Sequence, residues 1–219
     1  MFASGIQYNQ LRLKIDSTYE CISQMKWGLD YFKKKISEDS NANKTTAYQK
    51  ANESADIQTE PDVHFSIFNS IAEALNEPLW TLESDFEYLF CNAMYIMSFS
   101  YFENSLRKIL KDKLTNYNYK WSIDILINKV ESLSMIRPTF DYETLHLIRN
   151  QLCHNNLGTT NKKHQAKMEL YIKAHTKEFS WIDEILVIND IDYCNNTLNE
   201  YYKYLCDVCD VLGYKHSET

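Results

Sequence analysis

Glycine and proline are scarce in this sequence. Its 219 residues include four glycines and three prolines, whereas β-sandwiches and β-barrels need many tight turns, which these two residues supply. The scarcity therefore argues against both β architectures. An apolar fraction of 44% is sufficient for a hydrophobic core, and at this length we expect one domain, with or without an appendage.

Long apolar segments are also missing. No run of about twenty consecutive apolar residues occurs, so the sequence predicts no transmembrane helix and no membrane partner. The first residues, Met1–Gln7, lack the positively charged and then apolar segments of a secretory signal peptide. We therefore expect a cytoplasmic protein whose six cysteines are reduced.

Motifs that bind phosphate or metal ions are absent as well. The sequence has no P-loop, no Gly-x-Gly-x-x-Gly turn and no pair of histidines at the spacing of a zinc-binding helix. Cys206 and Cys209 have a C-x-x-C spacing, but no second cysteine pair or nearby histidine completes a zinc site. We expect both thiols to pack in the core. The sequence thus predicts no metal and no organic cofactor.

Apolar residues recur every three or four positions along most of the chain, which predicts an all-α, mainly helical fold. Residues 1–37 are predicted to contain a long N-terminal helix, over residues 7–37, that packs on the bundle or on a partner. Residues 38–62 are polar and are predicted to form a flexible loop. Residues 63–219 are predicted to form a helical domain, with a small β-hairpin near residues 178–189, where β-branched residues cluster.

Six helices are predicted within this domain. Residues 79–114 are apolar on nearly every side in the middle of the segment, which indicates a central buried helix. The final helix is predicted to begin after Asp192 as its N-cap. The other segments with helical periodicity are residues 63–76, 122–134, 142–157 and 161–175.

The stretch Tyr142–Leu157 contains several polar groups that could together catalyse a reaction without a metal ion. Arg149, Asn150 and His154 supply a fixed cation, an amide and an imidazole on the predicted helix. The run Asn155–Gly158 is predicted to end this helix, since Asn and Gly tolerate the left-handed conformation found at helix ends. Apolar residues at helical spacing predict the side that packs on the core: Tyr142, Leu145, Ile148 and Leu152.

The net charge of −7 opposes a general affinity for nucleic acids, but the charges are unevenly distributed. Positive charge surrounds the polar stretch in sequence, whereas residues 178–212 contain eight acidic residues and one lysine. Either these are ordinary solvated helix faces, or the positive segments form a surface that attracts phosphate. In the second case the lysines predicted to contact RNA are Lys162, Lys163 and Lys167.

The order Arg149-Asn150-x-x-x-His154 on a predicted helix resembles the R-x(4–6)-H signature of HEPN domains, in which a polar residue commonly follows the arginine. The segment Ser100–Arg107 resembles the long helix before the signature helix in several prokaryotic HEPN groups. The resemblance covers roughly residues 80–157 and does not include residues 1–60. It implies an all-α bundle, usually dimeric, and the endoribonuclease activity found in toxin–antitoxin and phage-defence systems.

Arg149 and His154 are five positions apart, which places them about 140° apart around a straight helix. One helix therefore cannot point both side chains directly at a single atom, so either Arg149 bends its long side chain round or a second copy supplies part of the site. The resemblance implies that two copies meet across a two-fold axis and line one cleft. There an RNA 2′-hydroxyl would attack the adjacent phosphate, with His154 moving protons and Arg149 holding the phosphate. Asn150 would orient the phosphate or fix the His154 tautomer.

Two further residues are predicted to support this site. Glu103 is a carboxylate among apolar neighbours, so it needs a cationic partner, either Arg149 or Arg107 one turn along its own helix. His146 lies one turn before Asn150 on the same face, and it either supports the site or faces solvent.

Non-catalytic interpretations stay open at this point. A histidine at a helix end is often only a cap, and a helical arginine is often an ion-pair partner. The chain would then be an interaction module whose long N-terminal helix recruits an antitoxin or another regulatory protein. A third interpretation is a nucleotide-binding protein that uses the cleft as a phosphate pocket. The expected partners are therefore RNA, a second copy of the chain and a regulatory protein.

Overall fold

The computed structural model describes residues 3–54, 61–154, 162–182 and 184–214. In these ranges the chain forms seven α-helices and one two-stranded sheet, which confirms the predicted mainly-α class. Among the residues described, no helix combines the length and the apolar character needed to cross a membrane. The elements in chain order are α1 (Ala3–Ser23), α2 (Met25–Ser54), α3 (Pro61–Lys113), α4 (Ile123–Ser134), α5 (Tyr142–His154), α6 (Lys162–Ala174), β1 (Phe179–Ile182), β2 (Ile185–Ile188) and α7 (Ile191–Val211).

The chain divides into two compact units, residues 1–25 with 91–219, and residues 26–90. The predicted segment 63–219 therefore contributes to both units. The first unit is built around the C-terminal part of α3, which is buried as predicted for the central helix. In its core the rings of Phe102 in α3 and Tyr201 in α7 stack with centroids 4.6 Å apart.

Helix α5 is fixed at its N-terminal end by Asp141. The Asp141 carboxylate accepts hydrogen bonds from the Thr144 backbone N–H at 3.2 Å and from the Thr144 hydroxyl at 2.7 Å. The Tyr95 hydroxyl of α3 donates to the Leu145 carbonyl at 3.1 Å, and both Leu145 and Ile148 are buried in the core. These contacts hold the helix that carries the candidate site.

The predicted β-hairpin is present. Strands β1 and β2 pair antiparallel, with Phe179 opposite Ile188. Glu184 has a φ of 66°, in the left-handed region that hairpin turns commonly use. The Ile188 backbone N–H donates to the Asn92 side-chain oxygen at 3.0 Å, which ties the sheet to α3.

The predicted loop over residues 38–62 is wrong for residues 38–54 and 61–62, because α2 continues to Ser54 and α3 begins at Pro61. Ala47 and Ala51 are fully buried, and the Asn43 amide donates to the Leu75 carbonyl of α3 at 3.0 Å. Alanine is the strongest helix former, and its small side chain packs closely against a neighbour. A stretch poor in large apolar residues can therefore still be a packed helix. Residues 55–60 of the predicted loop lie outside the described residues.

The predicted helix over residues 7–37 is divided by a turn at Gln24, between α1 and α2. The predicted break after residue 76 is absent, because α3 continues through Pro78. Proline removes one backbone donor from the ladder and its ring crowds the carbonyl four residues earlier, and a helix with enough other packing can tolerate these costs. The buried Asn76 side chain accepts a hydrogen bond from the Asn43 amide at 3.3 Å in this region.

The N-cap of α7 is Asp190 and not the predicted Asp192. The Asp190 side chain accepts a hydrogen bond from the Asp192 backbone N–H at 2.8 Å. Asp192 instead lies in the first turn, where a negative charge is favourable next to the helix N-terminus.

Candidate functional site

Helix α5 presents a row of mostly polar side chains along one side, which we call the α5 stripe. Apart from the adjacent pair His146 and Leu147, its successive members are separated by three or four positions, and residues at that spacing share one face of a helix. They are partly or fully exposed, in contrast to Leu145 and Ile148 on the core side. The α5 stripe consists of Glu143, His146, Leu147, Asn150 and His154.

Three of the predicted site residues are linked by hydrogen bonds. Arg149 Nη1 donates to Asn150 Oδ1 at 3.0 Å, and Asn150 Nδ2 lies 3.1 Å from His146 Nε2. The guanidinium is thus drawn toward the α5 stripe, although Arg149 itself is not a member of it. We call this arrangement the Arg149–Asn150–His146 chain.

These two hydrogen bonds fix the protonation state of His146. A guanidinium only donates, so the Asn150 atom that faces Arg149 is the amide oxygen. The Asn150 nitrogen then donates to His146 Nε2, which must carry no proton, and the imidazole is neutral with its proton on Nδ1. Burial lowers the pKa of His146; the negative charge of Glu103 opposes this shift, and the positive charge of Arg149 adds to it.

The His146 ring is also fixed by stacking. It lies on the Phe99 ring, with centroids 5.3 Å apart and planes inclined by 13°. Phe99 belongs to α3 and is fully buried. The imidazole is therefore attached to the core on one side and to Asn150 on the other. Of the two alternatives for His146, a solvent-facing side chain does not fit these contacts, and a role in a reaction site stays a prediction.

Arg149 differs from the other three arginines of the sequence in its charge environment. Within the described residues no carboxylate forms an ion pair with Arg149, and its buried Nε–H has no hydrogen-bond partner. The contacts of its positive charge are with neutral groups. The other three arginines all have carboxylate partners: Arg12 with Asp16 and Asp210 at 3.2 Å each, Arg107 with Glu103 at 2.6 Å, and Arg137 with Glu131 at 3.9 Å.

The partner of Glu103 is Arg107, one turn along the same helix. Arg107 Nη2 donates to Glu103 Oε1 at 2.6 Å and to the Trp121 carbonyl at 2.9 Å. The alternative that Glu103 pairs with Arg149 is therefore wrong. Glu103 is only partly buried, so the local partner satisfies it without a contact to α5.

His154 is the last residue of α5, and its side chain is exposed. Its separation of about 140° from Arg149 around the helix axis is retained, because α5 is continuous over both residues. The Asn150 amide is bonded to His146, so in the described contacts it does not fix the His154 tautomer. The predicted helix end, Asn155–Gly158, lies outside the described residues.

The three lysines that were predicted to contact RNA are not equivalent. Lys167 forms ion pairs with Asp141 at 2.9 Å and Glu143 at 2.8 Å, and so ties α6 to the start of α5. Burial alone would raise the pKa of Asp141, but hydrogen bonds from Lys167 and Thr144 lower it. Lys163 and Lys162 are exposed at the start of α6. Lys167 thus has a structural role that the sequence did not predict.

A cavity of about 310 Å³ lies between α4, α5 and α6. It reaches the Arg149–Asn150–His146 chain, because His146 is one of its walls. The remaining walls carry both signs of charge and are formed by Asp124, Glu143, Leu147, Lys163, His164 and Lys167. We call this space the His146 cavity.

The sequence did not single out Asp124, Glu143 or His164 as site residues. Glu143 could have been found, because it precedes His146 by three positions on the same helical face. Asp124 and His164 come from α4 and α6, and only the packing of these helices on α5 brings them to the cavity. Their chemistry was visible in the sequence, but their proximity was not.

No group of three or more His, Cys, Asp or Glu side chains suited to a metal ion occurs among the residues described. Cys209 is buried and Cys206 is partly buried on α7. Burial raises the pKa of the Cys209 thiol to about 12. That thiol is therefore protonated near neutral pH and packs as an apolar group.

Comparisons of the chain with protein-family models, curated proteins and solved structures give no match.

Proposed function

We propose that the chain is a metal-independent endoribonuclease of the HEPN type, which cleaves RNA in a cleft formed by the α5 helices of two copies. As the resemblance of its Arg149-to-His154 motif implies, it would act on cytoplasmic RNA as a toxin or a phage-defence effector. An antitoxin or another regulatory protein would then restrain it.

The observation that carries this proposal is the charge environment of Arg149. A helical arginine that serves only the fold normally has a carboxylate partner, as Arg12 and Arg107 do. Arg149 has none among the described residues and is oriented by the Asn150 amide. A guanidinium that has no carboxylate partner can bind the oxygens of a phosphate through its planar pairs of N–H groups. RNA supplies such a group at every nucleotide.

The reaction follows from the chemistry of RNA. The 2′-oxygen attacks the adjacent phosphorus and loses its proton to a base, while the bond from phosphorus to the 5′-oxygen breaks and that oxygen takes a proton from an acid. The products are a 2′,3′-cyclic phosphate and a 5′-hydroxyl. Arg149 stabilises the negative charge that builds on the phosphoryl oxygens. DNA lacks the 2′-hydroxyl and is not cleaved.

The two imidazoles of α5 have different roles in this proposal. His146 Nε2 already accepts a hydrogen bond from Asn150, and its ring is stacked on Phe99. His154 is exposed at the helix end, where its nitrogens can reach a substrate. We therefore assign proton transfer to His154, whereas His146 and Asn150 orient Arg149.

A second copy of the chain completes the site. Because Arg149 and His154 diverge by about 140° on α5, both can act on one phosphate when Arg149 comes from one copy and His154 from the other. A two-fold axis near α5 produces that arrangement, since each copy then offers its α5 to the other.

The alternative function is a non-catalytic module that binds a regulatory protein. The observation that favours it is the pair of aromatic residues on α2, Trp27 and Tyr31, which are 77% and 71% exposed. They are four positions apart and therefore share a helix face. A non-catalytic module would not cleave RNA, so the experiment that tests the ribonuclease also decides between the two functions.

The test is cleavage of a labelled RNA by purified protein in the presence of EDTA. We expect Arg149→Ala and His154→Ala each to lower the cleavage rate by at least about 100-fold, because each removes one participant in the reaction. The melting temperatures of both variants should stay close to that of the wild type, since neither side chain has an ion pair in the described residues.

The matched control is Arg137→Ala, which removes an exposed arginine outside α5 and should cleave RNA at the wild-type rate. RNA cleavage that persists unchanged in both Arg149→Ala and His154→Ala would exclude the proposed site. Absence of cleavage by the wild type on all RNA classes would favour the regulatory module.

A further inference from the structure

The His146 cavity has the size and the wall chemistry of a small-ligand site. Its volume of about 310 Å³ lies at the lower end of the range in which proteins bind small organic molecules. Three helices form it, and the two that flank α5 contribute groups of opposite charge. The carboxylate of Asp124 comes from α4 and the ammonium group of Lys163 from α6, which also contributes the ring of His164.

The cavity is connected to the proposed reaction site by hydrogen bonds. His146 forms part of its wall, and two hydrogen bonds of 3.1 Å and 3.0 Å lead from the imidazole through Asn150 to the guanidinium of Arg149. A ligand in the cavity therefore lies next to the phosphate that Arg149 would hold. For an RNA substrate this position corresponds to a nucleotide that flanks the scissile bond.

The charged groups of the cavity differ in what they can offer a ligand. Lys167 is shared between Glu143 at 2.8 Å and Asp141 at 2.9 Å, so its positive charge is already balanced by these two carboxylates. Asp124 is exposed in the first turn of α4 and has no ion pair in the described part of the chain. Its carboxylate only accepts hydrogen bonds, whereas Lys163 donates them and His164 can donate them.

A nucleotide with an amino group on its base fits this combination. A carboxylate accepts hydrogen bonds from the exocyclic amines of cytosine, adenine and guanine, and uracil has no such amine. The lysine and the histidine suit the phosphate of the same nucleotide. We propose that the His146 cavity binds one amino-bearing nucleotide of the RNA, with Asp124 contacting the base and Lys163 and His164 contacting its phosphate. This proposal rests on the proposed function, because it takes RNA as the substrate.

The experiment titrates the full chain with AMP, CMP, GMP and UMP, which contain no phosphodiester bond between nucleotides and so cannot be cleaved by the proposed reaction. Histidine side-chain NMR signals report on occupancy of the cavity. We expect the His146 and His164 signals to shift with AMP, CMP and GMP, and each of these nucleotides to bind at least five-fold more tightly than UMP. That factor is roughly the loss of one net hydrogen bond.

Two variants test the assigned contacts. Asp124→Asn should reduce the preference for AMP, CMP and GMP over UMP to less than two-fold. Lys163→Ala should weaken the binding of all four nucleotides by a similar factor. The control Asp207→Asn removes an exposed carboxylate from α7 and should leave the preference unchanged. Unshifted His146 and His164 signals with all four nucleotides would overturn the proposal. Equal binding of UMP, or an unaltered preference in Asp124→Asn, would overturn it as well.

Failure of this inference can be separated from failure of the proposed function. If the nucleotides bind as expected but the wild type cleaves no RNA, the cavity assignment stands and the ribonuclease is excluded. If the wild type cleaves RNA but Asp124→Asn cuts at the same positions with the same rates, the ribonuclease stands and the cavity is not its nucleotide site.

Discussion

Arg12 and Arg149 are both helical arginines of the same compact unit, but their surroundings differ. Arg12 is only 2% exposed; it pairs with Asp16 and Asp210 at 3.2 Å each and donates to the Cys206 carbonyl at 3.2 Å. Arg149 contacts a neutral amide and has no ion pair in the described residues. The comparison separates an arginine held by two carboxylates from one that, in the described residues, is held by none.

The two regions also differ in how well their polar side chains are hydrogen-bonded. Around Arg12, the Tyr202 hydroxyl donates to Asp16 at 3.0 Å, and Tyr202 stacks on Tyr19 with centroids 3.9 Å apart. Two positions after Arg149, and about 160° away from it around the axis of α5, the buried Gln151 amide has no partner for either its nitrogen or its oxygen in the described part of the chain. Buried polar groups without partners reduce stability, and functional sites are where proteins tolerate such costs.

The largest stability difference should appear when each arginine is replaced by methionine. Arg12→Met should lower the free energy of unfolding by about 3 kcal/mol, because it leaves the Asp16 carboxylate without its cationic partner and the Cys206 carbonyl without its side-chain donor. Arg149→Met should change it by less than about 0.5 kcal/mol, since it removes no ion pair and relieves a buried unpaired N–H. Urea denaturation followed by circular dichroism measures both values.

If Arg12→Met and Arg149→Met lowered the free energy of unfolding by the same amount, the two arginines would not differ in their contribution to stability. The control is Arg137→Met, an exposed arginine whose Glu131 contact is 3.9 Å long, which should have little effect on stability.

A smaller effect of opposite sign is expected at Gln151. Gln151→Met keeps the shape of the side chain and removes two buried atoms that lack hydrogen bonds. The free energy of unfolding should rise by about 1 kcal/mol. The same change at Gln165, whose amide donates to Glu169 on an exposed face, should not stabilise the protein. A decrease in stability for Gln151→Met would mean that the amide has a partner in solution.

The smallest expected effect is a pH dependence that arises from His146. Its pKa is lowered by burial, so below the ordinary value of 6.5 the unfolded state binds a proton that the folded state excludes. The stabilisation is therefore fully present above about pH 6.5 and is lost as the pH falls toward the folded pKa. Unfolding by urea at pH 7.5 and pH 5.5 should show a smaller difference in His146→Gln than in the wild type.

The control for this measurement is His164→Gln, which removes an exposed histidine and should retain the wild-type pH dependence. An identical pH dependence in His146→Gln and the wild type would indicate that His146 titrates freely.

The sequence was sufficient to predict the helices whose apolar residues are large and regularly spaced. Helix α5, the hairpin and the buried C-terminal part of α3 all have that pattern, and the structure confirms them. Helix α2 beyond residue 37 was missed, because its packing uses Ala47, Ala51 and Asn43 rather than large side chains. Periodicity of bulky apolar residues does not detect a helix that packs through small ones.

The candidate site shows a similar limit. The contact between Asn150 and His146 follows from a spacing of four residues on one helix, which the sequence displays. Glu103 has two cationic candidates in sequence, and the local one is the partner because Arg107 is adjacent on the same helix. Asp124 and His164 could not be assigned, since their positions next to His146 depend on how α4 and α6 pack on α5.

The central claim is that Arg149 of one copy acts together with His154 of another. The most direct test is a purified heterodimer of one Arg149→Ala chain and one His154→Ala chain, obtained by co-expression with two affinity tags. Each parent is inactive, but the heterodimer retains one complete pair and should recover about half of the wild-type cleavage rate. A verified heterodimer that cleaves RNA no faster than its parents, while the wild type is active, would contradict the claim.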